Sequence, residues 1–177
     1  MSKMFKEFSY LVKLLSHNKS KDCKDLEIIN KKNKMPPTPF ELFGVECGKG
    51  WYGLLQPIID YITEYNKTVE KEEDKLIPLQ IKEKFGGLRI YMNYATEELN
   101  KMIDNAEDES YHVCEMCGSK EHIGYTLGYI QTICFDCVKQ LAKKDGRTYF
   151  WRDNADNVVY EIDEKGNKKK AEEYTEY

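Results

Sequence analysis

Trp51, Leu54, Leu55, Ile58, Ile59, Ile62 and Tyr65 fall at i, i+3, i+4, i+7, i+8, i+11 and i+14. That spacing lays one apolar stripe along an α-helix, and Pro57 sets its start near Gln56 or a kink there. Met4, Phe5, Phe8, Leu11, Val12 and Leu15 predict a second amphipathic helix over residues 3–16, followed by a lysine-rich short helix and loop over 17–35. Met35-Pro36-Pro37-Thr38-Pro39 is a stiff break that sets residues 1–34 apart as an arm. Residues 79–94 read as a β-hairpin turning at Gly86-Gly87. Thr96 then caps a helix carrying Glu97 and Glu98 in its first turn and Leu99, Met102, Ile103 and Ala106 on its buried stripe. Tyr125–Ile133 supplies β-formers beside Gly124 and Gly128. A helix with Val138, Leu141 and Ala142 inward follows, with Lys143 and Lys144 in its last turn and Gly146 at its end. Val158–Ile162 is strand-like, and Glu164-Lys165-Gly166-Asn167 after it is a turn signal.

This pattern predicts an α+β fold, a small antiparallel hairpin or sheet packed on amphipathic helices, with a treble-clef-like finger beside it. The expected division is an arm over 1–34, an α+β core over 35–111, the finger over 112–152, and a partly disordered acidic tail over 153–177.

Charge sharpens this division. The net charge of −4 combines a lysine-rich arm with an acidic tail, and hydrophobic residues make up 41% of the chain. The balance lacks the strongly basic footprint of a general nucleic-acid binder. The opening residues have no apolar signal-peptide core, and no run approaches the ~20 apolar residues of a membrane span. The expectation is a cytoplasmic protein, in the host cytoplasm if phage-encoded, where paired cysteines serve as metal ligands more often than as disulfides.

Cys114-Glu115-Met116-Cys117 and Cys134-Phe135-Asp136-Cys137 are separated by sixteen residues. Paired Cys-x-x-Cys knuckles at this distance form tetrahedral zinc sites. The expected cofactor is one structural zinc held by Cys114, Cys117, Cys134 and Cys137. Four protein thiolates leave no open position for catalysis. Neither a nucleobase-deaminase signature nor an HNH-type histidine arrangement is present in the sequence, and no acid, base and nucleophile set assembles. Cys23 and Cys47 read as ordinary thiols.

A turn at Gly86-Gly87 places Phe85 opposite Leu88 and Lys84 opposite Arg89. Phe85 then joins the apolar face, while Lys82, Lys84, Arg89 and Tyr91 share the outer one. Two cations forced together invite an anion between them, unless that face is only solvated surface or is paired with acids of the chain itself. Gly48-Lys49-Gly50 before the Trp51 helix adds Lys49 and a helix N-terminus as a second anion-binding element.

The Trp51-Tyr52-x-Leu-Leu segment, the KEKFGGLRIY run over 82–91 and the CEMCG knuckle resemble, in that order, a family of small phage and bacterial proteins with no established activity. The resemblance covers about residues 43–142. It implies an accessory protein of phage type and no mechanism. The functional expectation is a non-catalytic, zinc-stabilised binder that sequesters an anionic, nucleotide-like ligand or blocks a host protein, as a counter-defence factor would. The alternative is a zinc-finger regulator touching nucleic acid through Lys139, Lys143, Lys144 and Arg147.

Overall fold

The Trp51 stripe forms the longest helix of the computed structural model, which describes residues 39–172. The predicted helix over 3–16, the rest of the arm and the last residues of the tail lie outside the described residues. A short helix α1 (Pro39–Phe43) and a two-residue strand β1 (Val45–Glu46) lead into a 3-10 turn over Lys49–Trp51. The long helix α2 (Tyr52–Thr68) starts directly afterwards and runs through Pro57. Its stripe buries Leu55, Ile58 and Ile62, with Trp51 fully enclosed at its base. Among the described residues, no helix is long and apolar enough to cross a membrane.

Strands β2 (Pro78–Lys84) and β3 (Gly87–Met92) make the expected hairpin, and β1 adds parallel to β2. The turn sits one residue earlier than expected, so every cross-strand partner shifts by two residues. Lys84 pairs with Gly87, Glu83 with Leu88, Lys82 with Arg89 and Ile81 with Ile90. The turn is therefore Phe85-Gly86, both at positive φ (53° and 76°), as a two-residue type I′ turn requires. Gly87 has a separate reason to be glycine: a Cβ there would lie 2.5 Å from the Tyr111 ring. Only one glycine of the pair serves the turn. The slip moves Phe85 out of the core to the tip, 73% exposed. It also places Lys82, not Lys84, across from Arg89.

Helix α3 (Glu97–Ser110) begins as expected, with Thr96 Oγ1 accepting from Leu99 N at 3.1 Å. It protects the open edge of β3, since Ser110 Oγ accepts from Leu88 N and Glu107 Oε1 accepts from Ile90 N, each at 2.9 Å. An edge strand capped in this way offers fewer free donors for pairing with another chain. Helices α2 and α3 and the sheet close around one core that includes Trp51, Leu55, Leu88, Leu99 and Val113.

The second half is a five-stranded antiparallel sheet in the order β5-β4-β6-β7-β8 with one helix against it. Its strands are β4 (Ile123–Thr126), β5 (Thr132–Cys134), β6 (Tyr149–Asp153), β7 (Val159–Ile162) and β8 (Lys168–Lys170), and its helix is α4 (Phe135–Asp145). A separate core of Ile133, Val138, Ala142, Trp151 and Ile162 fills the space between them. The boundary expected at residue 152 falls inside β6. Beyond it β7 and β8 extend the sheet, and in β7 Tyr160 and Ile162 alternate with Glu161, Ile162 being completely buried. Lys168 fastens the last strand. Its ammonium sits 3.6 Å from the Tyr160 ring centroid, 5.1 Å from that of Trp151 and 5.2 Å from that of Phe135, with Asp153 at 3.4 Å.

Candidate functional site

The two cores meet at the first cysteine pair. Val113 belongs to one and Cys114 to the other. The knuckle is closed by Gly118 N donating to Cys114 O at 2.8 Å and Cys114 N donating to Ser119 O at 2.8 Å. Gly118 adopts φ 80°, a conformation costly for other residues. Glu115 N donates to Thr132 O, which brings β5 and the second pair alongside. Cys134 is the N-cap of α4 and Cys137 lies in its first turn.

All four thiols are free, and their sulfurs lie within 4.8 Å of one another. Cys117 and Cys134 are 3.7 Å apart, far longer than a disulfide at ~2.05 Å. A tetrahedron with metal–sulfur bonds of ~2.3 Å has an edge of about 3.8 Å. The donor set and its spacing therefore fit a single metal ion. Burial pushes the Cys134 thiol up to about 11 and raises Cys137 further in the same direction. At Cys117 burial also opposes ionisation, but the Ser119 backbone and neighbouring thiols hold its pKa below the usual value. Three of the four thiols are buried and Cys117 is exposed, and a bound cation would compensate the charge of thiolates gathered this closely.

The glycine-rich entrance to α2 does not form an open anion site. Gly48 N donates to Glu115 Oε1 at 2.9 Å, and Gly50 N donates to Glu115 O at 2.8 Å. The anion at this loop is the protein's own buried Glu115, whose other oxygen accepts from Gln131 Nε2. A Cβ on Gly50 would lie 2.0 Å from Cys114 O, so the second glycine lets the loop backbone press against the knuckle. Trp51 Nε1 donates to Val113 O at 2.8 Å beside it. Lys49 is exposed on this loop, but the amides expected to act with it are already occupied. Nothing in the Cys-x-x-Cys spacing marks Glu115 as the partner of Gly48 and Gly50. The tight Gly-x-Gly before a buried Trp was the available signal.

On the hairpin, Lys82, Lys84, Arg89 and Tyr91 lie on the outer face as expected, with altered neighbours. Each cation rests above an aromatic ring: Lys82 over Tyr91 at 5.5 Å, Lys84 over Phe85 at 5.6 Å, and Arg89 over Tyr111 at 5.7 Å. Arg89 is tied into the fold. Its Nη2 donates to Tyr111 Oη at 2.6 Å, its Nη1 donates to Leu88 O at 2.5 Å, and Glu107 is 3.6 Å away. Burial works against its charge, but the Tyr111 hydroxyl and Glu107 carry its pKa above the usual value. The like-charge pair expected between Arg89 and Lys84 falls instead between Arg89 and Lys82, and Glu107, an acid of α3, does part of the compensating. Tyr111 and Phe85 were not among the sequence-derived site residues. Both have a part in this surface, Tyr111 beneath Arg89 and Phe85 at the tip.

On α4, Lys139 pairs with Asp136 at 2.8 Å and Lys143 and Lys144 are exposed, while Arg147 just beyond it donates to Tyr149 Oη at 2.6 Å. No family model, curated protein or solved structure matches this chain.

Proposed function

We propose that this protein is a non-catalytic binding protein, held together by one structural zinc and displaying the hairpin as its ligand surface. The metal is zinc because four thiolates at tetrahedral spacing, two of them at a helix N-terminus, match its preference for soft, closed coordination. Knuckle, hairpin and a helix bearing the second cysteine pair follow one another as in treble-clef-like fingers. With all four positions filled by protein, the ion organises the chain and leaves chemistry to no open site.

The single observation that carries the binding role is the row of three cation–aromatic pairs on the hairpin and its flank, at 5.5–5.7 Å. Surface cations held over rings are already oriented, so an anion meets them at lower entropic cost than free lysines. The ligand class is a small anion of nucleotide type, taken up chiefly by Lys82 and Lys84, with Arg89 and Tyr91 shaping the surface. The phage-type resemblance makes sequestration of a signalling nucleotide in the host cytoplasm, a counter-defence role, the setting for this activity. Blocking of a host protein by the same face is the related outcome. The nucleic-acid alternative is weaker, since Lys139 and Arg147 are engaged by their own helix and its flank.

A thermal-shift panel of mononucleotides, cyclic nucleotides and dicarboxylates tests the reading. A ligand at a hundred times its Kd stabilises the folded state by ~2.7 kcal/mol. That gain should shrink in Lys82→Ala and Lys84→Ala, persist in the surface control Lys71→Ala, and leave the ligand chemically intact. If no anion stabilises the protein and both variants keep biological activity, the reading fails; turnover of the ligand would overturn its non-catalytic part.

A further inference from the structure

The hairpin tip does not end in solvent. Gly86 O accepts from Thr132 Oγ1 at 2.6 Å, so the turn of the first core is pinned to β5 of the second. Beside this joint lies an open cleft of about 380 Å³, lined by Phe85, Tyr111, His112, Tyr125, Ile130 and Asn154. That volume is at the small end of ligand clefts. Three of these lining residues are aromatic and carry a cation above the ring: Lys84 over Phe85, Arg89 over Tyr111, and Arg152 over Tyr125 at 6.0 Å.

Phe85 is the unusual member. The first central position of a type I′ turn belongs to Asn, Asp or Gly, because φ is positive there. A bulky aromatic at φ 53° is a genuine outlier held in strained backbone. This one is not repaid by burial, being 73% exposed. Strain kept at an exposed position points to a use for the side chain beyond folding.

We infer that this cleft is a base-stacking site, binding a nucleotide unit with its ring against Phe85, Tyr111 and Tyr125 and its phosphate at the cationic rim. A planar heterocycle is the occupant because flat rings stack on flat rings, and His112 and Asn154 offer hydrogen bonds to its polar edge. The inference rests on the binding-protein reading above and deepens it, by naming the site that takes the base.

The test uses the full-length, metal-containing chain with adenosine monophosphate, cytidine monophosphate, adenosine, inorganic phosphate and a short single-stranded oligonucleotide as probes. Phe85→Asn is the informative variant, because it suits the turn. Its melting temperature should rise by about 2–5 °C, while mononucleotide binding weakens about tenfold or more. Phe85→Tyr should keep binding. Mononucleotides should shift the ring resonances of Tyr111 and Tyr125 and the methyls of Ile130, and inorganic phosphate alone should not. Equal affinity for the oligonucleotide per unit assigns the site to nucleotides within a strand, and preference for the mononucleotide assigns it to free ligand. Both support stacking. Unchanged affinity in Phe85→Asn overturns the inference but leaves the anion-binding reading standing, provided Lys84→Ala still weakens binding. Absence of binding by every base-containing probe overturns it outright.

Discussion

The two cores are built on different principles. The first, from α1 to Val113, is organised by long amphipathic helices whose apolar stripes close over a hairpin. Leu55, Leu88 and Leu99 meet there with no measurable exposure. The second, from Cys114 onward, consists of strands of three to five residues and one eleven-residue helix. Elements that short bury little each, and a small domain of this kind is stabilised by a metal or its equivalent. On the proposed metal reading, the first half depends on apolar area and the second on coordination as well as its own small core. The joint between them is the Gly48–Trp51 loop lying against the Cys114 knuckle.

Removing the metal should break the comparison most sharply. Strong chelation, or Cys134→Ser, should cost well over ~3 kcal/mol in the second half. Hydrogen exchange should then show residues 114–170 losing protection while α2 and α3 keep theirs. Equal loss in both halves would mean that the cores form one cooperative unit.

Gly50→Ala should come next. A Cβ 2.0 Å from Cys114 O forces loop and knuckle apart, for a loss of ~2–4 kcal/mol. The effect should appear on both sides of the joint, as reduced metal affinity and as altered near-ultraviolet circular dichroism from Trp51. A neutral result would remove the joint from the account.

Arg89→Ala should cost ~1–2 kcal/mol, since it strips a half-buried carboxylate and the Tyr111 hydroxyl of their donor. Denaturant titration should place the loss in the first half. Lys168→Ala should cost about 1 kcal/mol, the value of a partly shielded cation–π contact, and should loosen β8 alone. Lys168→Arg should retain most of the stability. Ending the chain at residue 164 should resemble Lys168→Ala, because it removes β8.

The first half was legible in the sequence wherever one periodicity decided the outcome. The α2 stripe and the Thr96 cap both have local causes, and both form as their residues dictate. The hairpin register was misread because Gly86-Gly87 offers two glycines where the turn uses one. The second glycine answers to Tyr111, more than twenty residues away, which no local pattern reveals. The clustering of the four cysteines was equally plain, since ligand spacing is itself a local pattern. What the sequence hid was the loop before Trp51. Its glycines resemble an anion cradle, and only the fold places Glu115 in it. In the acidic tail the strand near Val158–Ile162 and the turn after it were legible, but its attachment to the sheet was not. Net charge suggests disorder, while Lys168 finds its aromatic neighbours only once β6 and β7 have paired.

Native mass spectrometry of the intact protein, purified without added metal, tests the central claim most directly. The account predicts a mass increment of about one zinc per chain with all cysteines unmodified, lost together with the second half's hydrogen-exchange protection when a chelator is added. A metal-free chain carrying disulfides among Cys114, Cys117, Cys134 and Cys137, with that protection intact, would contradict it.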